Sequence, residues 1–591
     1  MGVVPEWSAR GHLNQLGRQM TMHIDWKKLY ETEEQKMAWK LLGISLLFLH
    51  LIFLPEIFAL PACINFRNPF HLYRQNLSML LLLSALPLLS GKIGGRVVFF
   101  FYGLWGLFNS VMLFSLVKFH LCLDYTTLQI LSVTDPSEVH EFCGSFLHWY
   151  DFLPAVIVVA ATIWCMRCTQ KVTKFSTRLG LALLVPFLLA ALPSVCKGKF
   201  SWFGKRNALC RFALTSIAQY SGEMQSIHEA AIHPVLPAGI RRIPDENADG
   251  VLGVVVVGES ARRANFQCYG YPRPTTPRLL DFSSQCLFFD DVIAPATSTL
   301  RCCAYDFSDA KLGELSQMHY SICDFLLGGG YQVGLYSNQR RSGSHESLGL
   351  LFHKATEKKY LMEEGDGDRY DIALMDYLTD SPLVKNSLPA VVFLHTMGSH
   401  HHAKKRYPAS KKFFDEEFRD ECNAGMDPAC AEYVNDYDNS IRVTDEFLGE
   451  VMAFLDSLDR PAFLLYLSDH AEMLLRKDGE SNFRDSKNPF SYEIPFVVFT
   501  NCPYREAFPD FLKAMAENVH QPLQADATIY AIASLARLTC DDFPYEKDVT
   551  SPQYIPAERY LNEDVKLPYP TAERGGEKAG NDAAAARELR K

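Results

Sequence analysis

Little in this chain would draw it to nucleic acid. Its net charge is −10, from 58 Lys+Arg against 68 Asp+Glu over 591 residues. No stretch gathers into a concentrated basic face, so binding to a nucleic-acid backbone is not expected. An internal repeat is also missing, which argues against solenoids and propellers. A cleavable leader is not expected either: the first apolar run starts near Ala38, after a polar stretch, and no clean small-residue cleavage site follows. Cys165-Met-Arg-Cys168 has no second ligand pair nearby and reads as membrane-edge sequence rather than a working CxxC motif. Gly258-Glu259-Ser260-Ala261-Arg262 lacks the second Gly of a nucleophile elbow, which discounts Ser260 as a nucleophile.

What the chain does have is divided unevenly. The mean hydropathy of −0.04 hides a split at about residue 195. Five apolar runs, 38–61, 76–91, 97–117, 150–166 and 179–195, crowd into the first part, and a spanning helix needs about 20 mainly apolar residues. Charge orients them. Lys27, Lys28, Lys36 and Lys40 precede the first run, and Arg167, Lys171, Lys174 and Arg178 follow the fourth without an acid. The intervening loop 118–149 holds Asp124, Asp135, Glu138 and Glu141 against Lys118. The expected organisation is a cytoplasmic segment 1–37, a five-helix transmembrane domain 38–195, a connector 196–248, a catalytic domain 249–572 outside the membrane, and a disordered tail 573–591.

From residue 250 strands alternate with helices. Strands are expected over 251–257, 331–336, 388–394, 462–467 and 494–499, with helices over 313–327 and 435–458. That alternation predicts an α/β domain with a mostly parallel central sheet. Chemistry collects at the carboxyl ends of strands in such a sheet. Val254-Val255-Val256-Val257 runs into Gly258-Glu259, and Phe463-Leu464-Leu465-Tyr466-Leu467 runs into Ser468-Asp469-His470. Each alone reads almost as well as a buried strand surfacing. Together they offer carboxylates and an imidazole, a donor set that suits zinc. Thr297-Ser298-Thr299, after the strand-like 286–293, supplies a hydroxyl that metal coordination would activate. His395 and His400, with His401 and His402, follow a third strand, where metal or phosphate contact competes with a plain solvated loop. Of the 16 cysteines, Cys422 and Cys430 are the pair expected to form a disulfide if this part meets an oxidising compartment; two free thiols in a loop is the other reading.

These pieces resemble the bacterial phosphoethanolamine transferases, membrane enzymes that decorate lipid A, lipopolysaccharide core or related glycans. The resemblance runs from the first span to about residue 540. It rests on Val257-Gly258-Glu259-Ser260-Ala261-Arg262 with Gly270-Tyr271 and Thr276-Pro277, on Thr297-Ser298-Thr299, on His395-x-Met-Gly-x-His400, on Tyr437-Asp438-Asn439-Ser440-Ile441 with Thr444-Asp445, and on Ser468-Asp469-His470-Ala471-Glu472. Departures are Ala471 in place of Gly, no His between 471 and 519, and Pro295 and Tyr305 where cysteines often flank the nucleophile. Tyr336-Ser337-Asn338-Gln339 and Tyr492-Glu493-Ile494-Pro495 look closer to members acting on core sugars.

The resemblance implies an alkaline-phosphatase/sulfatase-like catalytic domain in the periplasm, anchored in the inner membrane. Glu259, Thr299, Asp469 and His470 would hold one zinc ion, with a second left open. Thr299 would carry phosphoethanolamine covalently, taken from phosphatidylethanolamine. His400 and His395 would contact substrate, and Thr134 and Glu138 would bind the ethanolamine headgroup. The acceptor would be lipopolysaccharide or a related glycan. Two alternatives stand: a phosphoglycerol transferase of the same architecture, and a non-catalytic membrane scaffold. A sulfatase is disfavoured, because Thr299-Leu300-Arg301 lacks the Cys/Ser-x-Pro-x-Arg pattern.

Overall fold

The computed structural model describes residues 31–64, 80, 83–119, 147–169, 174–184, 221–243, 250–339, 347–361, 370–474, 488–561 and 566–570. The chain divides into two compact units. The described residues up to 184 belong to the first and those from 221 onward to the second.

The described residues of the first unit include the helices α1 (Glu33–Ile64), α2 (Gly91–Phe119) and α3 (Leu153–Cys168). Leu41, Leu49, Ile52, Phe99 and Val158 are buried within it, while Leu47, Phe101, Val156 and Ile157 lie exposed on its outside. An apolar exterior on apolar helices fits a lipid environment. Glycine sets the close approach: a Cβ on Gly106 would lie 2.6 Å from Val158 Cγ1 and 2.8 Å from Ile52 Cγ2. Asn109 Nδ2 donates to the Ile52 carbonyl at 2.6 Å, satisfying a polar group that would otherwise be orphaned. Glu33–Ile52 and Trp149–Cys168 are long and apolar enough to cross a membrane, by length and composition. They coincide with the first and fourth expected runs. The third lies within α2, and the second and fifth are only partly among the described residues. Two helices rather than five therefore meet the criterion among the described residues.

The second unit centres on seven strands: β1 (Leu252–Gly258), β2 (Cys286–Phe289), β3 (Gln332–Ser337), β4 (Glu357–Tyr360), β5 (Ala390–His395), β6 (Ala462–Ser468) and β7 (Phe496–Thr500). Their order is β2-β7-β6-β1-β5-β3-β4. The strands β6, β1, β5, β3 and β4 are parallel to their neighbours, whereas β7 runs against both β6 and β2. The sheet is therefore mixed but mostly parallel, as expected, with four of its six pairings parallel; the direction of β7 was not readable, because an apolar run such as 494–499 carries none. The expected helix 313–327 is also shorter. It resolves into a turn at Leu315–Gln317 and helix α5 (Ile322–Gly328). Ser321 Oγ accepts from Asp324 N at 3.1 Å and Asp324 Oδ2 from Ser321 N at 3.2 Å, a capping box that starts the helix there.

Strand alternation feeds two cores. Val255, Val257, Phe393 and Leu465 pack with Leu300, Cys303, Phe325 and Leu326, which come from helices α4 (Thr299–Asp306) and α5. Val254, Val256, Val392 and Leu464 pack with Tyr437, Ile441, Leu448 and Val451 of helix α6 (Pro428–Asp456). Burying each such side chain contributes about 1.5–3 kcal/mol. The result is a sheet covered on both faces, with α4 on one side and α6 on the other.

Helix α6 is also a polar clamp. Tyr437 OH donates to the Ser260 carbonyl at 2.7 Å and accepts from Arg262 N at 2.8 Å. Asp438 accepts from Arg273 Nη1 at 2.7 Å, Tyr271 OH at 2.8 Å and Asn265 Nδ2 at 2.9 Å. Asn439 Oδ1 takes the amides of Phe413 and Phe414, and Ser440 Oγ donates to Ser399 Oγ at 2.8 Å. Asp445 accepts from Arg278 N and Leu279 N, at 2.8 and 2.9 Å, at the start of a short helix. The Tyr-Asp-Asn-Ser segment thus ties the loops after β1 and β5 to one rigid element.

Beside this clamp, Cys422 and Cys430, the pair expected to form a disulfide in an oxidising compartment, stand unjoined in this structure. The Cys422 amide donates to Asp420 Oδ1 at 3.0 Å. Cys430 sits in the first turn of α6.

Burial pushes the Asp445 carboxyl up to about 7, although the Leu279 and Arg278 amides pull it down. Unfolded, it titrates at about 3.9. The folded state therefore binds an extra proton between these values. The stability this adds is full below about pH 4 and is lost as pH rises through about 7. Thermal unfolding of chelator-treated protein from pH 5 to 7.5 should show a falling midpoint, and Asp445→Asn should flatten that fall. Equal slopes in the two proteins would contradict the assignment.

Candidate metal centre and nucleophile

The site is a consequence of register. Val257 pairs with His395 of β5 and with Leu467 of β6, Gly258 pairs with Ser468, and Ser337 pairs with His395. Four parallel strands thus end level, and the residues after them share one edge. Glu259, Asp469 and His470 each place a ligand atom there, all within 4.8 Å of one another and all buried. His470 Nε2 lies 3.2 Å from Asp469 Oδ2 and 3.4 Å from Glu259 Oε1. Thr299 Oγ donates to Glu259 Oε2 at 3.0 Å. The four residues proposed as ligands from sequence are brought together.

Each is held by its surroundings. Asp469 Oδ1 accepts from Ser260 N at 3.0 Å and from His470 N at 2.7 Å, which leaves Oδ2 turned to the imidazole. His470 Nδ1 donates to the Ala471 carbonyl at 3.1 Å, so its Nε2 lone pair faces the carboxylates. Ser260 adopts the left-handed region, φ 56°, and its buried hydroxyl donates to Glu259 Oε1 at 2.6 Å. That spends the hydroxyl on the carboxylate, consistent with discounting it as a nucleophile. Ser260 and Ala261 also bond back to β6, the latter by its amide to Ser468 Oγ at 2.8 Å.

Thr299 opens α4, and from 292 to 308 it is the one residue that is not buried. Its hydroxyl is therefore both anchored and reachable. Two residues on, Arg301 is 1% exposed and pairs with Glu223 at 3.5 Å, from a helix over 221–232.

Two buried carboxylates this close repel each other, and burial disfavours their charged forms. A divalent cation relieves both costs. Two carboxylate oxygens, one imidazole nitrogen and one hydroxyl oxygen are a donor set that zinc accepts. The residues present fit a metal.

The His loop is arranged around Glu259. Ser399 N donates to the Glu259 carbonyl at 2.8 Å. Gly398 has φ 45°, and a Cβ there would sit 2.7 Å from the Glu259 carbonyl oxygen and 2.8 Å from its nitrogen. Only glycine fits. His395 ends β5 at 2% exposure, with Nδ1 3.1 Å from Ser337 Oγ. Burial lowers its pKa to about 4, against the pull of Glu259, so it is neutral at pH 7. His400 is half-buried in the following loop, where Arg406 Nε donates to its carbonyl at 3.3 Å. Neither histidine joins the cluster of three. Thr134 and Glu138 lie outside the described residues.

Two supporting residues escaped the sequence reading. Asp371, buried, accepts from Met397 N at 2.8 Å, Gly398 N at 2.9 Å and Asn338 Nδ2 at 2.7 Å, which shapes the His loop. Gln339 Nε2 donates to Glu259 Oε2 at 3.2 Å and to the Thr396 carbonyl at 2.9 Å. Gln339 belongs to the Tyr336–Gln339 segment noted in the sequence, but its contact with Glu259, like the role of Asp371, follows only from the apposition of β3 and β5.

The sulfatase family model matches residues 252–538, the span of this sheet and its site. The second unit thus resembles the sulfatase family over this span. The phosphoethanolamine transferase EptC of Escherichia coli K12 is 24% identical over 368 residues, 60% of this chain and 62% of that protein. The chain thus spans under two thirds of that relative's length. The zinc complex of the C-terminal periplasmic domain of Escherichia coli EptC superposes with TM-score 0.51 at 23% identity, over 56% of this chain and 94% of that one. The integral membrane lipooligosaccharide phosphoethanolamine transferase A of Neisseria meningitidis does so with TM-score 0.55 at 18% identity, over 87% and 97%.

Gly398→Ala should cost at least about 1–2 kcal/mol, since it adds both backbone strain and a clash with Glu259. Thermal unfolding of the purified protein checks this. The same change should reduce the zinc retained after dialysis, because the displaced atoms belong to a ligand.

Proposed function

We propose that this chain is a zinc-dependent transferase that moves phosphoethanolamine from phosphatidylethanolamine to a lipopolysaccharide (core sugar or lipid A) or related glycan. The observation that carries this reading is the convergence of the only unburied side chain of 292–308, Thr299, on Glu259 beside Asp469 and His470. The relatives named above, one of them in a zinc complex, support it. The membrane-like first unit supports a lipid donor, and a multi-pass inner-membrane anchor with a periplasmic catalytic domain belongs to the same proposal.

Glu259, Asp469, His470 and Thr299 would hold the metal. Zinc bound there would lower the pKa of the Thr299 hydroxyl and offset negative charge on the donor phosphate. The rest falls to the chain. Thr299 Oγ bonds to phosphorus as the bond from phosphorus to the glycerol oxygen breaks. The hydroxyl proton, held toward Glu259 Oε2, ends on the departing diacylglycerol. An acceptor oxygen then takes the phosphoethanolamine and Thr299 regains its proton, which makes the kinetics ping-pong. Thr134 and Glu138 would recognise the ammonium headgroup, and His395 and His400 the substrate side of the site; a carboxylate suits an ammonium ion.

Purified protein in detergent, given fluorescent phosphatidylethanolamine, tests this. Wild type should release labelled diacylglycerol and gain the mass of one phosphoethanolamine. Thr299→Ala should do neither, and a strong chelator should abolish both. Turnover of phosphatidylglycerol instead would mark a phosphoglycerol transferase. An active Thr299→Ala would remove Thr299 as the nucleophile.

A further inference from the structure

We propose that Gln339 is a positioning residue that fixes the Glu259 carboxylate for the metal; this rests on the metal reading above. Gln339 stands two residues past the carboxyl end of β3, and its Nε2 bridges Glu259 Oε2 at 3.2 Å and the Thr396 carbonyl at 2.9 Å. Both partners are acceptors, so the NH2 end of the amide must face them. The backbone that carries it is docked on β5. Asn338 N donates to the His395 carbonyl at 2.8 Å, Asn338 Nδ2 to Asp371 Oδ1 at 2.7 Å, and Gln339 N to Ser337 Oγ at 3.1 Å.

The consequence is a fixed carboxylate plane. Glu259 Oε2 takes hydrogen bonds from Thr299 and Gln339, while Oε1 takes one from Ser260 and faces His470. A lysine or arginine at 339 would form an ion pair with Glu259 and compete with a metal cation for its charge. A neutral amide orients the carboxylate and leaves that charge available. Partners of this kind around a ligand carboxylate typically matter 10–100-fold for metal affinity.

The test uses the full chain in detergent, with zinc alone as the probe and a chelator of known affinity as competitor. Gln339→Leu should hold zinc about 10–100-fold more weakly than wild type. Gln339→Met, of similar length and also without the amide, should lose about as much. Metal-free thermal unfolding of both variants should match the metal-free wild type, and saturating zinc should restore phosphatidylethanolamine turnover in Gln339→Leu. Unchanged zinc affinity in Gln339→Leu would overturn the role. So would a loss of affinity matched by a collapse of the metal-free protein. A wild type that holds no zinc would overturn the metal reading itself, a failure read directly and without any transferase assay.

Discussion

Everything at this site answers to one constraint: two carboxylates and an imidazole are held together out of water. In a buried place that arrangement is unfavourable unless a cation joins it. The protein keeps the ligands in place by surrounding them with donors. The amides of Ser260 and His470 grip Asp469, the hydroxyls of Ser260 and Thr299 grip Glu259, and the Ala471 carbonyl sets the tautomer of His470. These donors come from loops whose positions follow from strand register, so a one-residue slip of β1, β5 or β6 would dismantle the site while leaving each strand equally apolar.

The polar residues of α6 show how chemistry-bearing side chains can serve architecture. Tyr437, Asp438, Asn439 and Asp445 look, in sequence, as suited to catalysis as Asp469. In the fold each is spent on a loop. Arg273 illustrates the strength of these ties: 1% exposed, it pairs with Asp438 and Asp420 and lies over the rings of Phe414 and Phe418. Removing one partner from such a buried pair costs about 3–5 kcal/mol.

Much of this was legible in the chain. The four valines before Glu259 and the apolar run before Asp469 announced buried strands, and their abrupt polar ends announced the cluster that could hold a metal. Thr299 followed from its place after a strand, and the family resemblance came from those same motifs. What was hidden depends on contacts that no window of sequence contains. Strand direction is one: nothing in Phe496–Thr500 says it runs against β6. β4, with its Glu-Lys-Lys-Tyr sequence, has no apolar alternation to betray a strand. Asp371 and Gln339 acquire roles only once β3 lies beside β5. Cys422 and Cys430 share a suggestive spacing, but spacing alone does not join them. His395 and His400, both expected at the substrate, differ in setting: His395 is buried at the end of β5 and His400 half-buried in the loop that follows.

The charged outer strand of the sheet bears on solubility. Among the described residues β4 pairs only with β3, leaving its far side as a row of backbone groups to which another chain might otherwise add. Glu357, Lys358 and Lys359 occupy three of its four positions, with Lys358 exposed and Lys359 in an ion pair to Glu357 at 2.9 Å. A neighbouring molecule that docked here would bring its own strand against fixed charges of both signs. That margin of the sheet is thus guarded against self-association, and it is a poor nucleus for aggregation in a domain whose interior strands are among the most apolar stretches of the chain.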